Sequence, residues 1–214
     1  MAPAPQTALP DITPYRTGKT VYLTFDDGPD DKNTPAVLDV LREAGVKATF
    51  YVTGRQAEAH PDVLQRIYDE GHAIGNHSYD HRYEKLYPDV NGFLAEMERT
   101  DEIIYGILGV RPLILRAPGG RIGHFTAAYA PAIRANGYVE HDWNVSSADA
   151  APGHPVAQQT FLRALVRLEM PADTDPLIVV DVVRLLDAVH DEIFVVALEI
   201  AERREIRFLV SVHI

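Results

Sequence analysis

Short apolar runs alternate with amphipathic helical segments along most of this chain, and that alternation limits its fold more than any other feature. Val21–Phe25, Ala48–Val52, Ala73–Gly75, Leu113–Leu115, Tyr138–Glu140 with the residues after it, Leu177–Val180 and Arg207–Val212 read as strands. Between them, Thr34–Ala44 places Val37, Leu38 and Leu41 on one face and stops at Gly45. Pro61–Glu70 opens on proline and stops at Gly71, and Asn91–Leu108, Ala127–Ala135 and Val156–Leu168 also read as helices. Val182–Glu202 carries apolar residues at 182, 185, 186, 189, 193, 196, 197 and 200, which is helical spacing. Strands that alternate with helices pair in parallel, because each return to the sheet needs a covering crossover. About seven such units predict a barrel or an incomplete barrel rather than an open sheet with one switch point. In barrels of this kind the chemistry sits on loops after the C-terminal ends of the strands.

Composition narrows the partners. At 214 residues the chain reads as one domain with a substantial core. A formal charge of −11 argues against nucleic acid and anionic membranes, which repel an acidic surface. There is no cysteine, which removes disulfide and thiolate chemistry, and no apolar run reaches the length of a membrane span. Residues 1–18 read as a flexible leader rich in Pro and Ala, without the basic start and unbroken apolar stretch of a signal peptide. It also suits what remains after a signal is cut away and a start Met added. Residues 19–214 form the expected domain.

Four segments at predicted strand ends carry candidate chemistry. In "TFDDGP" Asp26 and Asp27 stand side by side. Asx-Gly-Pro text is ordinary turn chemistry, yet two adjacent carboxylates must either point apart or share a cation. In "GNHSYDH" His77 and His81 are four apart, so on one helical turn both imidazoles would reach one ion; alternatively they are two histidines in a polar loop. A carboxylate with two imidazoles is a three-ligand set for catalytic zinc that leaves a position open. Asp27, His77 and His81 could supply it, leaving Asp26 to take a proton from water. "RAPGG" offers Arg116, either a plain residue before a turn or a planar fork that holds a carboxylate such as Asp26. "HDWNVSSADA" contains Trp143, the only tryptophan, which suits core packing as well, and ends near Asp149, which suits a loop carboxylate.

"TFDDGP", "HSYDH" and "RAPGG" together resemble the first three motifs of the polysaccharide deacetylases, the NodB-homology carbohydrate esterases of family 4. They occur in that family's order and approximate spacing, and the resemblance spans residues 19–212. It implies an α/β fold, a distorted (β/α) barrel of about seven parallel strands, holding one divalent ion. Zinc is the first expectation, with cobalt or nickel as alternatives. By position, Asp26 is similar to the catalytic base, Asp27, His77 and His81 to the metal ligands, and Arg116 to the arginine that orients the base. "WNVSSADA" resembles the fourth motif, with Asp149 in the place of its aspartate and Ala150 where tryptophan often stands. Pro118, Gly119, Trp143 and Tyr79 are the expected substrate-binding positions, and a backbone N–H near Tyr79–Arg82 the expected oxyanion donor.

The resemblance fails at the fifth motif. That family's late strand normally ends in Leu-x-His, whose histidine protonates the leaving amine. Here the strand reads "PLIVVDVV", bounded by Asp181, with Asp181 or Val182 near the expected place. The alternative is His190 in "AVHD", which falls within a helical pattern, and His213 at the terminus is a weaker candidate.

The activity implied is hydrolysis of N-acetyl groups from N-acetylglucosamine in peptidoglycan or chitin oligomers, by an extracellular or cell-wall-associated monomer that neither binds nucleic acid nor inserts into a membrane. An acetyl xylan esterase, a non-catalytic glycan-binding module and a purely structural metal site are the alternatives. The last would ordinarily need four protein ligands, and the sequence supplies three.

Overall fold

The computed structural model describes residues 20–43, 45–143, 145–146, 177–182 and 207–208. Eight parallel strands occur among them: β1 (Thr20–Asp26), β2 (Thr49–Val52), β3 (Ala73–Asn76), β4 (Ile114–Leu115), β5 (Val139–Glu140), β6 (Val145–Ser146), β7 (Leu177–Val182) and β8 (Arg207–Phe208). The sheet order is β5-β4-β3-β2-β1-β7-β6, and β8 pairs with β1. The described helices are α1 (Asn33–Glu43), α2 (Gly54–Ala59), α3 (Pro61–Asp69), α4 (Tyr83–Leu86), α5 (Val90–Leu108) and α6 (Tyr129–Ala135). This is the distorted (β/α) barrel expected.

Strand period separates an outer from an inner face. Phe25, Phe50 and Ile74 are register partners across β1, β2 and β3. They face the helices, where Phe25 stacks on Phe50 at 5.1 Å among Val37, Leu38, Leu41, Leu64, Ile67 and Ile104. The next register row is Asp26, Tyr51 and Gly75, on the opposite face. Alternation thus buries an apolar row outside the barrel and puts a polar row inside it. A second core of Leu86, Phe93, Met97, Leu115, Tyr129 and Ile133 closes the β4–β5 side. Helix α5 serves both cores. Its buried stripe runs through Phe93, Met97 and Ile104, interrupted by buried Thr100 and Asp101, and the Asp89 carboxylate caps its first turn.

Sequence and structure part at particular elements. Helices α2 and α4 and strand β6 stand where the sequence pattern predicts no separate element. Helix α2 is barely two turns and has no side-chain cap. Its start is held instead by Gly54 N–H and Arg55 N–H donating to the carbonyls of Ser78 and Tyr79, at 3.0 and 2.9 Å. Strand β7 does not stop at Asp181: it runs to Val182, with Asp181 opposite Thr24 and Ser146. Val182 is therefore strand, and the rest of the predicted Val182–Glu202 helix lies outside the described residues, as do Val156–Leu168 and the leader.

Inside the barrel Gly75 is required by packing. A Cβ there would run into the Tyr51 ring and come within 3.2 Å of Ile114. The Tyr51 ring carries the Arg116 guanidinium on its face, 4.1 Å from the ring centre. Gly75→Ala is expected to lower stability by about 1–3 kcal/mol through overpacking, read as a fall in the urea midpoint at unchanged slope.

Candidate metal centre

Strand ends bring the candidate residues together as the barrel reading requires. Asp26 ends β1 on the inner face and is buried. Asp27 follows with φ 70°, left-handed backbone that Asp tolerates better than most residues. That turn resolves the problem of two adjacent carboxylates. Asp26 points into the barrel toward Arg116, while Asp27 is 46% exposed and aims at the two histidines.

Arg116, the residue after β4, is fully buried. One of its terminal nitrogens donates to Asp26 Oδ1 and to Thr24 Oγ1, both at 2.8 Å, and its Nε donates to the His141 carbonyl at 3.1 Å. Burial pushes the Asp26 carboxyl up to about 6, against the opposing pull of the Arg116 charge and hydrogen bond. The other oxygen, Oδ2, lies 3.8 Å from His77 Nε2 and so faces the histidines.

His77 follows β3 and is also buried. Its Nδ1 stands 2.8 Å from the Arg116 carbonyl oxygen. A carbonyl can only accept, so Nδ1 carries the proton and Nε2 keeps its lone pair. Burial holds the imidazole neutral, pushing its pKa down to about 4. Nε2 lies 3.6 Å from Asp27 Oδ1, and His81 Nε2 lies 3.7 Å from the same oxygen. Those separations are too long for hydrogen bonds. They do suit ligands of one small cation, since atoms about 2.1 Å from a tetrahedral ion stand about 3.4 Å apart. All three ligand atoms lie within 4.8 Å of one another. Donor chemistry, tautomer and spacing therefore fit a divalent ion held by Asp27, His77 and His81.

The path between the histidines is not the helical turn that their spacing suggested. Residues 77–82 form a loop in which Ser78 and His81 are left-handed, at φ 66° and 57°. The Ser78 amide donates to Asn76 Oδ1 at 3.0 Å, and the His81 amide donates to Ser78 Oγ at 3.1 Å. Convergence of the two rings, 5.2 Å between centres, comes from that loop rather than from a shared helix face.

The expected substrate positions are divided. Tyr79 is directed to α2 and α5: its hydroxyl donates to Glu58 at 2.8 Å, its ring lies under the Arg99 guanidinium, and a Cβ on Gly54 would touch it. Pro118 is buried, with its carbonyl accepting from the Tyr87 hydroxyl at 2.5 Å. Gly119 is exposed at φ 74°, and Trp143 sits beside Arg116, 5.6 Å from guanidinium carbon to ring centre. Asp149, His190 and His213, and the side chain of Asp181, lie outside the described residues. Four residues around the site were not singled out from the sequence: Thr24, Tyr51, Asn76 and Tyr83. Thr24 was findable, because it shares the inner face with Asp26 two residues on. Tyr83, whose ring lies 5.5 Å from His81, comes two residues after the second motif ends. A Cβ at 119 would collide with the Tyr83 hydroxyl, so the bare glycine is what admits that ring beside the site.

Comparisons with known proteins point to one family. Residues 14–140 match the family model for polysaccharide deacetylase. A peptidoglycan-N-acetylglucosamine deacetylase of Bacillus cereus is 43% identical over 110 residues, covering 51% of this chain and 39% of the relative. The peptidoglycan-N-acetylmuramic acid deacetylase PdaA of Bacillus subtilis is 37% identical over 137 residues, covering 61% and 49%. The chain thus spans about half the length of the curated relatives it matches, or less. Among solved structures, the polysaccharide deacetylase Bc1974 from Bacillus cereus superposes with a TM-score of 0.79 at 28% identity, over 91% of this chain and 93% of that one. A Streptococcus mutans family 4 carbohydrate esterase superposes with 0.78 at 31% identity, over 91% and 87%. With its strand-end motifs gathered at one end of the barrel and more than half its length matched, the chain belongs to the polysaccharide deacetylase family, the NodB-homology carbohydrate esterases of family 4.

Proposed function

We propose that this protein is a metal-dependent deacetylase that hydrolyses N-acetyl groups of N-acetylglucosamine in peptidoglycan or chitin oligomers. One observation carries the reading. His77 Nε2, left with its lone pair by the Nδ1 contact to Arg116, faces both the Asp27 carboxylate and a second carboxylate, Asp26, that is clamped from behind. A purely structural ion would not need that second acid. The relatives named for peptidoglycan favour that polymer, and with it a place at the cell wall; the protein is expected to act there as a monomer.

Asp27, His77 and His81 would hold the ion, with zinc preferred for two imidazoles and one carboxylate, and cobalt or nickel as alternatives. Such an ion supplies Lewis acidity, which polarises a carbonyl oxygen and acidifies water. The chain's own residues handle the proton. Arg116 holds Asp26 Oδ1, so Oδ2 is the free acceptor on the side of the histidines. With a pKa raised to about 6, Asp26 is mostly ionised at neutral pH yet basic enough to take a proton from the attacking water. The protonated acid can then return it to the leaving amine, the role for which the sequence offers no histidine at the expected strand end. Asp149 keeps the fourth-motif place that the resemblance implies.

Acetate release from N-acetylglucosamine oligomers, measured with metal removed and restored, tests the function. Activity that survives complete chelation would refute the metal-dependent mechanism. His77→Ala and His81→Ala are each expected to lose stoichiometric zinc by elemental analysis while keeping a native circular dichroism spectrum. Asp26→Asn is expected to retain the ion and lose about 10²–10⁴-fold in turnover, the usual worth of a general base. Near-native turnover in that variant would remove Asp26 from the proton path.

A further inference from the structure

Behind the metal-site loop, on the far side of β3, two buried polar side chains and a half-buried tyrosine form a connected set. Asn76 is the last residue of β3 and is fully buried. Its side-chain amide group donates to Asp101 Oδ1 at 2.6 Å and to the Met97 carbonyl at 2.8 Å, both on α5. The other Asp101 oxygen accepts from the Tyr138 hydroxyl at 2.5 Å, immediately before β5. A carboxylate in the apolar stripe of a helix is costly unless its oxygens are used, and burial pushes this one up to about 6. Packing alone does not require an acid there.

What the acid does follows from donors and acceptors. Asp101 and the Met97 carbonyl both accept, so only the NH2 end of Asn76 can face them. The Asn76 oxygen is thereby turned toward the Ser78 amide, which donates to it at 3.0 Å. Ser78 in turn holds the His81 amide through its hydroxyl at 3.1 Å. A reversed Asn76 would set an NH2 group against the Ser78 N–H and release a loop whose two left-handed residues need support.

We propose that Asp101 is a positioning residue for the metal centre, acting through Asn76 and Ser78 on the loop that carries His77 and His81, with Tyr138 holding its far oxygen. The inference rests on the reading of Asp27, His77 and His81 as a divalent-cation site.

Calorimetric titration of the metal-free chain with Zn2+ tests it, alongside amide hydrogen exchange at Ser78 and His81. Asp101→Leu removes the acceptor and is expected to weaken Zn2+ binding by about tenfold or more, in the range known for residues that orient metal ligands. It should also speed exchange at both amides. Asp101→Ser, whose hydroxyl is too short to reach Asn76, serves if the leucine variant does not fold. Asp101→Asn is expected to rescue, with affinity within about threefold of wild type, because a carboxamide can present its oxygen to Asn76 and donate its NH2 to the Tyr138 oxygen. Leu64→Ala, a core change on α3, is expected to lower the melting temperature and leave Zn2+ affinity unchanged. If Asp101→Asn weakens binding as much as Asp101→Leu, the carboxylate acts through its charge and the relay is overturned. Equal Zn2+ affinity in Asp101→Leu and wild type also overturns it. A wild-type chain that takes up no stoichiometric Zn2+ overturns the reading of the site itself.

Discussion

The buried pair of Arg116 and Asp26 is the interaction on which the rest of the site depends. A guanidinium with no solvent exposure is tolerable only if its donors are used and its charge is answered. The barrel interior answers the charge with the Asp26 carboxylate and accepts hydrogen bonds from Nη1 and Nε. Asp26 and Thr24 from β1 and the His141 carbonyl take its hydrogen bonds. Tyr51 supplies a ring face beneath it, and Gly75 leaves room for that ring. The Arg116 backbone carbonyl meanwhile selects the His77 tautomer. One residue thus orients the Asp26 carboxylate with its side chain and a metal-ligand candidate with its main chain. Removal of one partner from a buried pair of this kind typically costs about 3–5 kcal/mol, because the other charge is left uncompensated.

Backbone strain concentrates at the same place. Among the described residues, the non-glycine positions with positive φ are Asp27, Ser78 and His81. Two are metal-ligand candidates and the third lies between the histidines. Left-handed backbone at a non-glycine residue costs of order 1–3 kcal/mol and persists only where its surroundings enforce it. Here the enforcement is visible in the bonds from Asn76 to Ser78 and from Ser78 to His81. At Asp27 the same conformation keeps the second carboxylate beside His77 along with Asp26, where ordinary strand alternation would send it to the opposite face.

Legibility in the sequence followed the kind of interaction involved. Elements built from local periodicity were readable: α1, α3 and α5 repeat their apolar residues at helical spacing, and β1, β2 and β3 are apolar runs stopped by turn residues. Helix α2 was not, because its first turn is held by carbonyls of Ser78 and Tyr79, over twenty residues away. The end of β7 was misjudged at Asp181, since a charge reads as a stop although the strand continues beside β1. Tyr79 looked like a site residue from its place within the second motif, yet its ring follows Gly54 and Arg99 to the other side.

The sequence alone determined the strand–helix alternation, the parallel sheet that alternation demands, and the strand ends where Asp26, Asp27, His77, His81 and Arg116 would sit. Those follow from residue order, because side-chain period and crossover length are local properties of a chain. The tertiary structure decided which way each of these side chains faces. The tautomer of His77, the separation of Asp26 from Asp27, the loop that brings His81 back to Asp27 and the orientation of Asn76 by Asp101 all depend on contacts between elements remote in sequence. No local pattern encodes such contacts, since they exist only after the barrel has brought β1, β3, β4 and α5 together.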